Sequence, residues 1–305
     1  MLPEYRVPLK LLGTEQEDLA PQVYGAVANP FTSSVVLFGI HRGKHIAIKF
    51  SQLSHGAEHE WEGLTKASDA GIKTTPPVGL AMTEEGKTVL ITSKIAGTNL
   101  YTNPDLLLRR RFGEIVRTMH DDVYVEGTSW RQSEYSDFER IASKLQLRLE
   151  SVGTDTLRSE AASLIGNNSE ALRGRLVEME PSFTHNDLHN DQVLVLKDGT
   201  MALIDFESWS EGDPLKDIAK YIFHTLRTRQ PITDITEFAR GYSKITGDLS
   251  TDDVASLSYY VLEVGINTVS FYRRFRHSHY HWALDYLNRI VEYLESGEIL
   301  NSLKY

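Results

Sequence analysis

The sequence predicts an α+β protein with two lobes, a small antiparallel β-rich N-terminal lobe and a larger, mainly helical C-terminal lobe. Short apolar runs rich in β-forming residues dominate the chain up to about residue 95, and amphipathic helical patterns dominate the remainder. A chain of 305 residues is also long enough for two cores. We therefore expect two domains, residues 1–95 and residues 96–305.

The N-terminal lobe is predicted to contain one helix among its strands. Strand patterns occur at residues 23–28, 35–40, 45–50 and 88–95. In residues 54–70, the apolar residues Ala57, Trp61 and Leu64 recur at helical spacing, and the pattern stops at Gly71. This spacing and this stop signal predict an amphipathic helix.

The C-terminal lobe is predicted to be mainly helical. Residues 105–119 carry apolar residues on roughly one face, which is typical of a core helix; they are Leu107, Leu108, Phe112, Ile115 and Val116. A long polar, helix-rich stretch then extends to Phe183, and further helices are expected within residues 251–294.

The most informative segment is Thr184-His185-Asn186-Asp187, followed by Ala202-Leu203-Ile204-Asp205. Two short apolar runs, residues 193–196 and 201–204, lie between the two acids, and a turn containing Asp198-Gly199 joins them. Asp-Gly between such runs is a strong hairpin signal. A hairpin here returns the chain towards its start, which we expect to bring Asp187 and Asp205 close together.

Two carboxylates in this arrangement suit phosphoryl transfer. One carboxylate is needed to orient the attacking hydroxyl and accept its proton, and others are needed to hold Mg²⁺ against the phosphate oxygens. Asp187 fits the first role and Asp205 the second. An H-x-D triplet alone is explained equally well by a surface loop, so the prediction rests on the whole segment.

Residues 183–221 resemble the catalytic core of the aminoglycoside phosphotransferase and choline kinase family, whose members are small-molecule kinases with a bilobal protein-kinase-like fold. The family pattern is H-x-D-x-x-x-x-N, a hairpin and a further Asp, followed by G-D-P and D-x-A. This chain supplies His185, Asp187, Asp205, Gly212-Asp213-Pro214 and Asp217-Ile218-Ala219.

The resemblance implies a role for each matching residue. Asp187 is implied to be the catalytic base, His185 to brace its loop, Asp205 to bind magnesium and Asp217 to cap the loop. Gln192 stands where the family has a metal-binding Asn. Mg²⁺ is the expected cofactor. Gln keeps the amide oxygen but is longer by one methylene, and because Mg²⁺ tolerates little distortion of its ligand shell, Mn²⁺ is an alternative.

The resemblance also implies nucleotide-binding residues in the N-terminal lobe. Lys49 ends a strand and resembles the kinase Lys that contacts the α- and β-phosphates, although it is equally a charge at a strand end. The family's E-x-x-x-L pattern selects Glu60 as its partner. Glu58 and Glu62 on the same helix are explained by a solvated acidic face.

Two further segments are implied to contact the nucleotide. The loop between the first two strands lacks G-x-G-x-x-G, but Ser33 and Ser34 offer hydroxyl and backbone N–H groups that can hold phosphates. An ordinary hairpin turn is the alternative. The family hinge aligns with the end of the last strand, so adenine is expected to bind the backbone near Ser93 and Ile95.

The composition of the chain argues against several classes of partner and location. The net charge is −10 and the isoelectric point is about 5.6, which argues against a general nucleic-acid-binding protein. Cysteine is absent, so disulfides and thiolate sites are excluded. The N-terminus lacks the apolar core of a signal peptide, and no stretch is long and apolar enough to cross a membrane. We expect a soluble, cytoplasmic monomer or weak dimer.

The acceptor is expected to be a small molecule. Asp213 follows Asp205 after only eight residues, and no A-P-E string follows, which leaves no room for a segment that displays a peptide substrate. The predicted reaction transfers the γ-phosphoryl group of ATP or GTP to a hydroxyl of an aminoglycoside, another antibiotic or another small molecule. The alternatives are an atypical protein kinase and a catalytically silent nucleotide-binding module.

Overall fold

A computed structural model describes most of the chain. The described residues are 5–6, 9–11, 18–19, 21–28, 35–51, 55–126, 130–243, 249–275 and 277–297. The chain forms two compact units. The first unit comprises Met1–Thr102 and Asp191–Trp209, and the second comprises Asn103–Asn190 and Ser210–Tyr305. The first unit therefore includes a segment that lies far beyond residue 95 in the sequence.

The described residues of the first unit form an antiparallel sheet and an α-helix. Its strands are β1 (Tyr5–Arg6), β2 (Leu9–Leu11), β3 (Asp18–Leu19), β4 (Gln22–Ala28), β5 (Val35–His41), β6 (Lys44–Phe50), β7 (Pro77–Thr83) and β8 (Thr88–Ser93). They form one eight-stranded sheet in the order β1-β4-β5-β6-β8-β7-β2-β3. Helix α1 (Gly56–Asp69) follows β6.

Alternating apolar residues create the core of this sheet. Ile46 and Ile48 of β6 are buried, and they pack in one cluster with Val89 and Ile91 of β8. Because successive side chains of a strand point to opposite faces, this spacing places all four side chains on one face. The side chain of Lys49, one residue after Ile48, therefore points to the opposite face of β6.

A second, small sheet belongs to the first unit. It contains β9 (Gly97–Asn99), β11 (Val193–Leu196) and β12 (Met201–Leu203), in the order β12-β11-β9. The turn between β11 and β12 closes with hydrogen bonds from Leu196 N–H to Thr200 O and from Gly199 N–H to Leu196 O. Gly199 has a φ of 76°, which a residue with a side chain rarely adopts. The Asp198-Gly199 hairpin signal is thus realised.

The second unit is mainly helical. Its helices are α2 (Leu106–Asp122), α3 (Trp130–Leu149), α4 (Asp155–Glu178), α5 (Leu215–Arg227), α6 (Ile232–Ser243), α7 (Thr251–Phe275) and α8 (Tyr280–Ser296). Two short strands, β10 (Ser182–Thr184) and β13 (Ser210–Gly212), pair antiparallel.

Helices α2 and α6 approach each other closely because Gly241 has no side chain. A Cβ at Gly241 would lie 1.8 Å from the Arg110 carbonyl oxygen. Arg109 Nε also donates a 2.8 Å hydrogen bond to Asp234 Oδ2, and both side chains are buried. A buried charge needs such a partner, so this pair helps to fix the position of α2 relative to α6.

The predicted α+β class with a β-rich N-terminal part and a helical C-terminal part is confirmed. The differences lie at element ends and in short strands. The last predicted strand ends at Ser93 rather than at residue 95, and β1, β2 and β3 are too short for a readable alternation. Among the described residues, no helix combines the length and apolar character that crossing a membrane requires.

Candidate active site

In the first unit, Lys49 lies at the centre of three carboxylates. Its Nζ is 2.8 Å from Glu60 Oε2 and 2.9 Å from Glu207 Oε2, and it also contacts Asp205 Oδ1. Glu60 comes from the buried face of α1, whereas Asp205 and Glu207 follow β12. The structure thus brings the sequence-predicted residues Lys49, Glu60 and Asp205 together.

The charges of this cluster perturb one another. Burial alone would lower the pKa of Lys49, but the three carboxylates outweigh burial and raise it. Burial raises the pKa of Glu60 to about 7, and Asp205 and Glu207 add to this rise while Lys49 opposes it. Three carboxylates surround one ammonium, so the site carries excess negative charge that a bound cation would offset.

Gln192 contacts Asp205 directly. Its Nε2 donates to Asp205 Oδ2 at 2.9 Å, and its backbone oxygen accepts from Ile204 N–H at 3.0 Å. Asp205 itself has φ 67° and ψ 57°, a left-handed conformation that costs energy for any residue other than Gly. Such strain is typical of functional positions, where the surrounding contacts hold the residue in place.

Trp209 holds the segment that contains Asp205 against helix α1. The Trp209 indole N–H donates to His59 O at 2.7 Å, and the two rings stack with centroids 4.9 Å apart. Gly63 makes this approach possible, because a Cβ at that position would lie 2.4 Å from Trp209 Cδ1. Glu60 and Asp205 are therefore held in one arrangement by contacts outside the ion cluster.

We expect Gly63→Ala to lower the free energy of unfolding by about 1–3 kcal/mol, because the new methyl group displaces Trp209. Gly166→Ala is the matched control, since Gly166 is exposed in α4 and a Cβ there meets no atom within 4 Å. The control should gain about 0.5–1 kcal/mol from helix propensity. Urea unfolding measures both, and equal gains would contradict the proposed fit of Trp209.

At residues 93–95, the predicted hinge, the Ile95 backbone N–H has no hydrogen-bond acceptor among the described residues. Ser93 N–H donates to Pro76 O at 2.8 Å, and Lys94 N–H donates to His45 O at 3.0 Å. Within the described part of the chain, the N–H of Ile95 has no such acceptor. That group is therefore suited to a nucleotide base. Ser33 and Ser34 lie outside the described residues.

In the second unit, Asp217 of α5 holds the loop that follows β10. Asp217 Oδ2 accepts from His185 N–H and Asp217 Oδ1 from Asn186 N–H, each at 2.7 Å. Asp217 is fully buried, and His120 Nε2 lies 3.0 Å from its Oδ2. Asn186 has φ 60°, so the loop turns sharply immediately before Asp187.

His185 lies beneath the same loop. Its ring is fully buried, and its Nδ1 lies 3.4 Å from the Asp187 backbone N–H. The buried Asp217 carboxylate and the buried His185 ring thus bind the consecutive backbone N–H groups of residues 185–187. These hydrogen bonds fix the backbone position of Asp187 without using its side chain.

The Asp187 carboxylate lies among cationic and imidazole groups. Lys220 Nζ is 3.5 Å from Asp187 Oδ1, and His189 Nε2 is 3.7 Å from Asp187 Oδ2. Burial alone would raise the pKa of Asp187, but His189, Lys220 and His224 outweigh it and hold the pKa below its ordinary value. The carboxylate is therefore ionised and able to accept a hydrogen bond at neutral pH.

Asp213 ties the start of α5 to two other helices. Arg175 of α4 donates to both of its carboxylate oxygens, at 2.7 and 2.9 Å, and Tyr260 of α7 donates at 3.2 Å.

A cavity of about 360 Å³ near Arg175 is lined by residues of α4 and the start of α7. This cavity includes none of the sequence-predicted site residues.

Several residues that the structure places at these sites have no role predicted from the sequence. Glu207 lies two residues after Asp205, and its proximity in the sequence was a usable signal. Lys220 and His224 recur at i and i+4 on α5, which places them on one helix face. Their position next to Asp187 depends on how α5 packs, which the sequence pattern does not report.

The model of the phosphotransferase enzyme family matches residues 50–254. This match covers more than half of the sequence, so the chain belongs to the phosphotransferase enzyme family. The resemblance to aminoglycoside phosphotransferases and the expected enzyme class, a small-molecule kinase, are confirmed. Curated protein sequences yield no significant match.

Several solved structures share the fold. An aminoglycoside phosphotransferase from Alicyclobacillus acidocaldarius is 13% identical, with a TM-score of 0.64 over 96% of this chain and 98% of that chain. Spectinomycin phosphotransferase APH(9)-Ia, solved with ADP and spectinomycin, is 16% identical, with a TM-score of 0.59 over 94% and 95%.

A third structure is a thermostable mutant of aminoglycoside phosphotransferase APH(4)-Ia, solved with AMP-PNP and hygromycin B. It is 17% identical, with a TM-score of 0.62 over 90% of this chain and 94% of that chain. Identities this low establish the shared fold and leave the substrate of this chain open.

Proposed function

We propose that this protein transfers the γ-phosphoryl group of ATP or GTP to a hydroxyl of a small molecule. The observation that carries the proposal is the Lys49 cluster, in which one lysine contacts Glu60 and Asp205. In kinases of this fold, a Lys–Glu ion pair and a metal-binding Asp must both be in place for phosphoryl transfer. A nucleoside triphosphate donor also supports the cytoplasmic location expected from the sequence.

The proposed chemistry assigns one task to each group. The acceptor oxygen bonds to the γ-phosphorus while the bond from that phosphorus to the β–γ bridging oxygen breaks. The hydroxyl proton passes to Asp187, and the products are a phosphate monoester and the nucleoside diphosphate. Because the pKa of Asp187 is low, its main contribution is to orient the hydroxyl, and proton transfer comes late.

Several groups are proposed to bind the nucleotide. The Lys49 ammonium attracts the phosphate oxygens, and Glu60 holds that ammonium in place. The Ile95 N–H, which has no acceptor among the described residues, and the backbone at Ser93 face the base, and Ser33 and Ser34 face the phosphates. The roles at Ser33 and Ser34 rest on the family resemblance alone.

The residues of the Lys49 cluster fit a divalent cation. Mg²⁺ prefers oxygen ligands, and ligand oxygens of Glu60, Asp205 and Glu207 lie within 4.8 Å of one another. We propose that Asp205 and Gln192 hold Mg²⁺, with Mn²⁺ as an alternative. When bound, the metal would neutralise charge on the phosphates. Asp205 would supply a carboxylate oxygen and Gln192 its amide oxygen to the metal.

Gln192 offers a direct test of this metal site. We expect Gln192→Asn to remain active with an altered ratio of Mg²⁺- to Mn²⁺-supported rates, because Mg²⁺ tolerates little distortion of its octahedral shell. Gln192→Leu should lose about tenfold or more in activity, since it removes both the amide oxygen and the hydrogen bond to Asp205. Steady-state rates in each metal measure both effects.

The control for this test is Gln146→Leu, which changes an exposed Gln on α3. It should keep the wild-type rate in both metals. A fully active Gln192→Leu would mean that Asp205 holds the metal without Gln192.

A mass-spectrometric screen tests the proposed function itself. The purified protein is incubated with Mg²⁺, ATP or GTP and a pool of hydroxyl compounds that includes aminoglycosides, other antibiotics, amines, sugars and hydroxy acids. A product heavier than its parent by about 80 Da is expected, the mass of one added phosphoryl group. Absence of nucleotide binding and of any such product would contradict the proposal.

A further inference from the structure

One face of α5 carries positive charge next to Asp187. Lys220, His224 and Arg227 recur at i, i+4 and i+7, so their side chains lie along one side of the helix. The opposite side is apolar and buried. Asp217 is the only acid in the helix sequence. Its buried carboxylate accepts hydrogen bonds from the backbone N–H groups of His185 and Asn186, in the loop before Asp187.

Side chains of neighbouring elements contact all three residues of this face. Lys220 Nζ lies 3.5 Å from Asp187 Oδ1, and the His189 ring stacks on His224 with centroids 4.2 Å apart. At the end of the helix, the Arg227 guanidinium lies 5.7 Å from the centre of the Trp282 ring. Trp282 is 38% exposed, so this end of the face is open to solvent.

The titration of His224 reflects the same surroundings. Burial lowers the pKa of His224, the neighbouring His189, Arg227 and Lys220 lower it further, and Asp187 opposes this effect. His224 is therefore neutral at neutral pH, and Lys220 and Arg227 supply the positive charge of this face, although the whole chain has a net charge of −10. The negative end of the helix dipole favours His224 and Arg227 in the last turn, but it does not account for Lys220.

This face bears on the acceptor because the reacting hydroxyl must reach Asp187. The rest of the acceptor then lies along the surface beside Asp187. A cationic amine at that surface would be repelled by Lys220 and Arg227, whereas a carboxylate or phosphate would form charge-assisted hydrogen bonds with them. Helix geometry places Arg227 roughly 10 Å along the axis from Lys220, which suits a small acceptor molecule.

We propose that the face of α5 formed by Lys220, His224 and Arg227 binds the acceptor, and that the acceptor is an alcohol carrying a carboxylate or a phosphate group. This inference rests on the proposed phosphotransferase function. It favours hydroxy acids, sugar acids or sugar phosphates over the amine-rich aminoglycosides.

The first test classifies acceptors by charge. The wild-type protein is incubated with ATP, Mg²⁺ and equimolar gluconate, glucose 6-phosphate, glucose and glucosamine, together with a wider pool of hydroxy acids and aminoglycosides. Phosphorylated products should come from anionic acceptors, and the carboxylate and phosphate arms identify which anion is used. Products from neutral or cationic acceptors, or ATP turnover with no anionic product, would overturn the inference. Failure to bind ATP would instead overturn the proposed function.

The second test changes the charge of the face. Arg227→Glu should raise the KM for the anionic acceptor by about tenfold or more, the effect of losing one hydrogen bond to a charged group, with a smaller change in kcat. Arg111→Glu, at an exposed site on α2, makes the same change in net charge and should leave the KM within about twofold. Equal KM values for the two variants would overturn the inference.

A further variant guards against misfolding. Arg227→Gln keeps a long polar side chain but removes the charge, so it should also raise the acceptor KM, by less than Arg227→Glu. Circular dichroism and ATP binding establish that each variant is folded. A folded Arg227→Gln with a wild-type KM would contradict the assigned role of the charge.

Discussion

The Asp187→Ala variant is expected to turn over at about one hundredth of the wild-type rate or less, with nearly unchanged nucleotide affinity. The loss follows because the acceptor hydroxyl would have no carboxylate to orient it or to take its proton. The surrounding loop should persist, since Asp217 and His185 hold it through backbone N–H groups. Initial rates and calorimetric nucleotide titrations measure the two quantities separately.

The control is Asp191→Ala, which removes an exposed carboxylate from the same stretch of chain. It should keep most of the wild-type rate. Asp187→Asn adds a second comparison, because it keeps the shape of the side chain but not its charge. If Asp187→Ala lost nucleotide affinity in proportion to its rate, the role of Asp187 would be misassigned.

Asp205→Ala is expected to abolish measurable turnover and to weaken the binding of magnesium nucleotide. Asp205 is the proposed metal carboxylate, and without it the charge on the phosphates would be left uncompensated. The fold should survive, because Lys49 retains Glu60 and Glu207 as partners. Calorimetric titration with ATP in the presence and absence of Mg²⁺ separates metal-dependent binding from the remainder.

Glu84→Ala is the control for this variant, since Glu84 is an exposed acid in the turn between β7 and β8 of the same unit. Its magnesium-dependent ATP affinity should equal that of the wild type. Lys49→Ala should also reduce nucleotide use, because it leaves three carboxylates without their ammonium. Unchanged magnesium-dependent affinity in both Asp205→Ala and Lys49→Ala would refute the proposed nucleotide site.

Most long elements of the fold were predictable, because their apolar residues recur with a clear period. The strand around Ile46 and Ile48 and the core helix around Phe112 show this directly. The strand β7 and the two- and three-residue strands near the N-terminus were not predicted. A strand of two or three residues is too short for alternation to be read, and pairing with a neighbouring strand stabilises it instead.

The local geometry of the candidate site was also partly encoded in adjacent residues. The Asp198-Gly199 turn brings β11 and β12 together, so Gln192 and Asp205 meet across one hairpin. A turn of this kind depends on residues that are neighbours in the chain, and its chemistry is visible in the sequence. The family pattern added Lys49 and Glu60, which no local rule connects.

Residues far apart in the sequence met only through packing. Gly63 admits Trp209, Asp217 reaches the backbone before Asp187, and Lys220 turns its ammonium to the Asp187 carboxylate. A periodic pattern reports which face of a helix is buried, but it does not report which other element covers that face. The candidate catalytic carboxylates could therefore be proposed from the sequence, whereas the charges around them depend on the packing of helices.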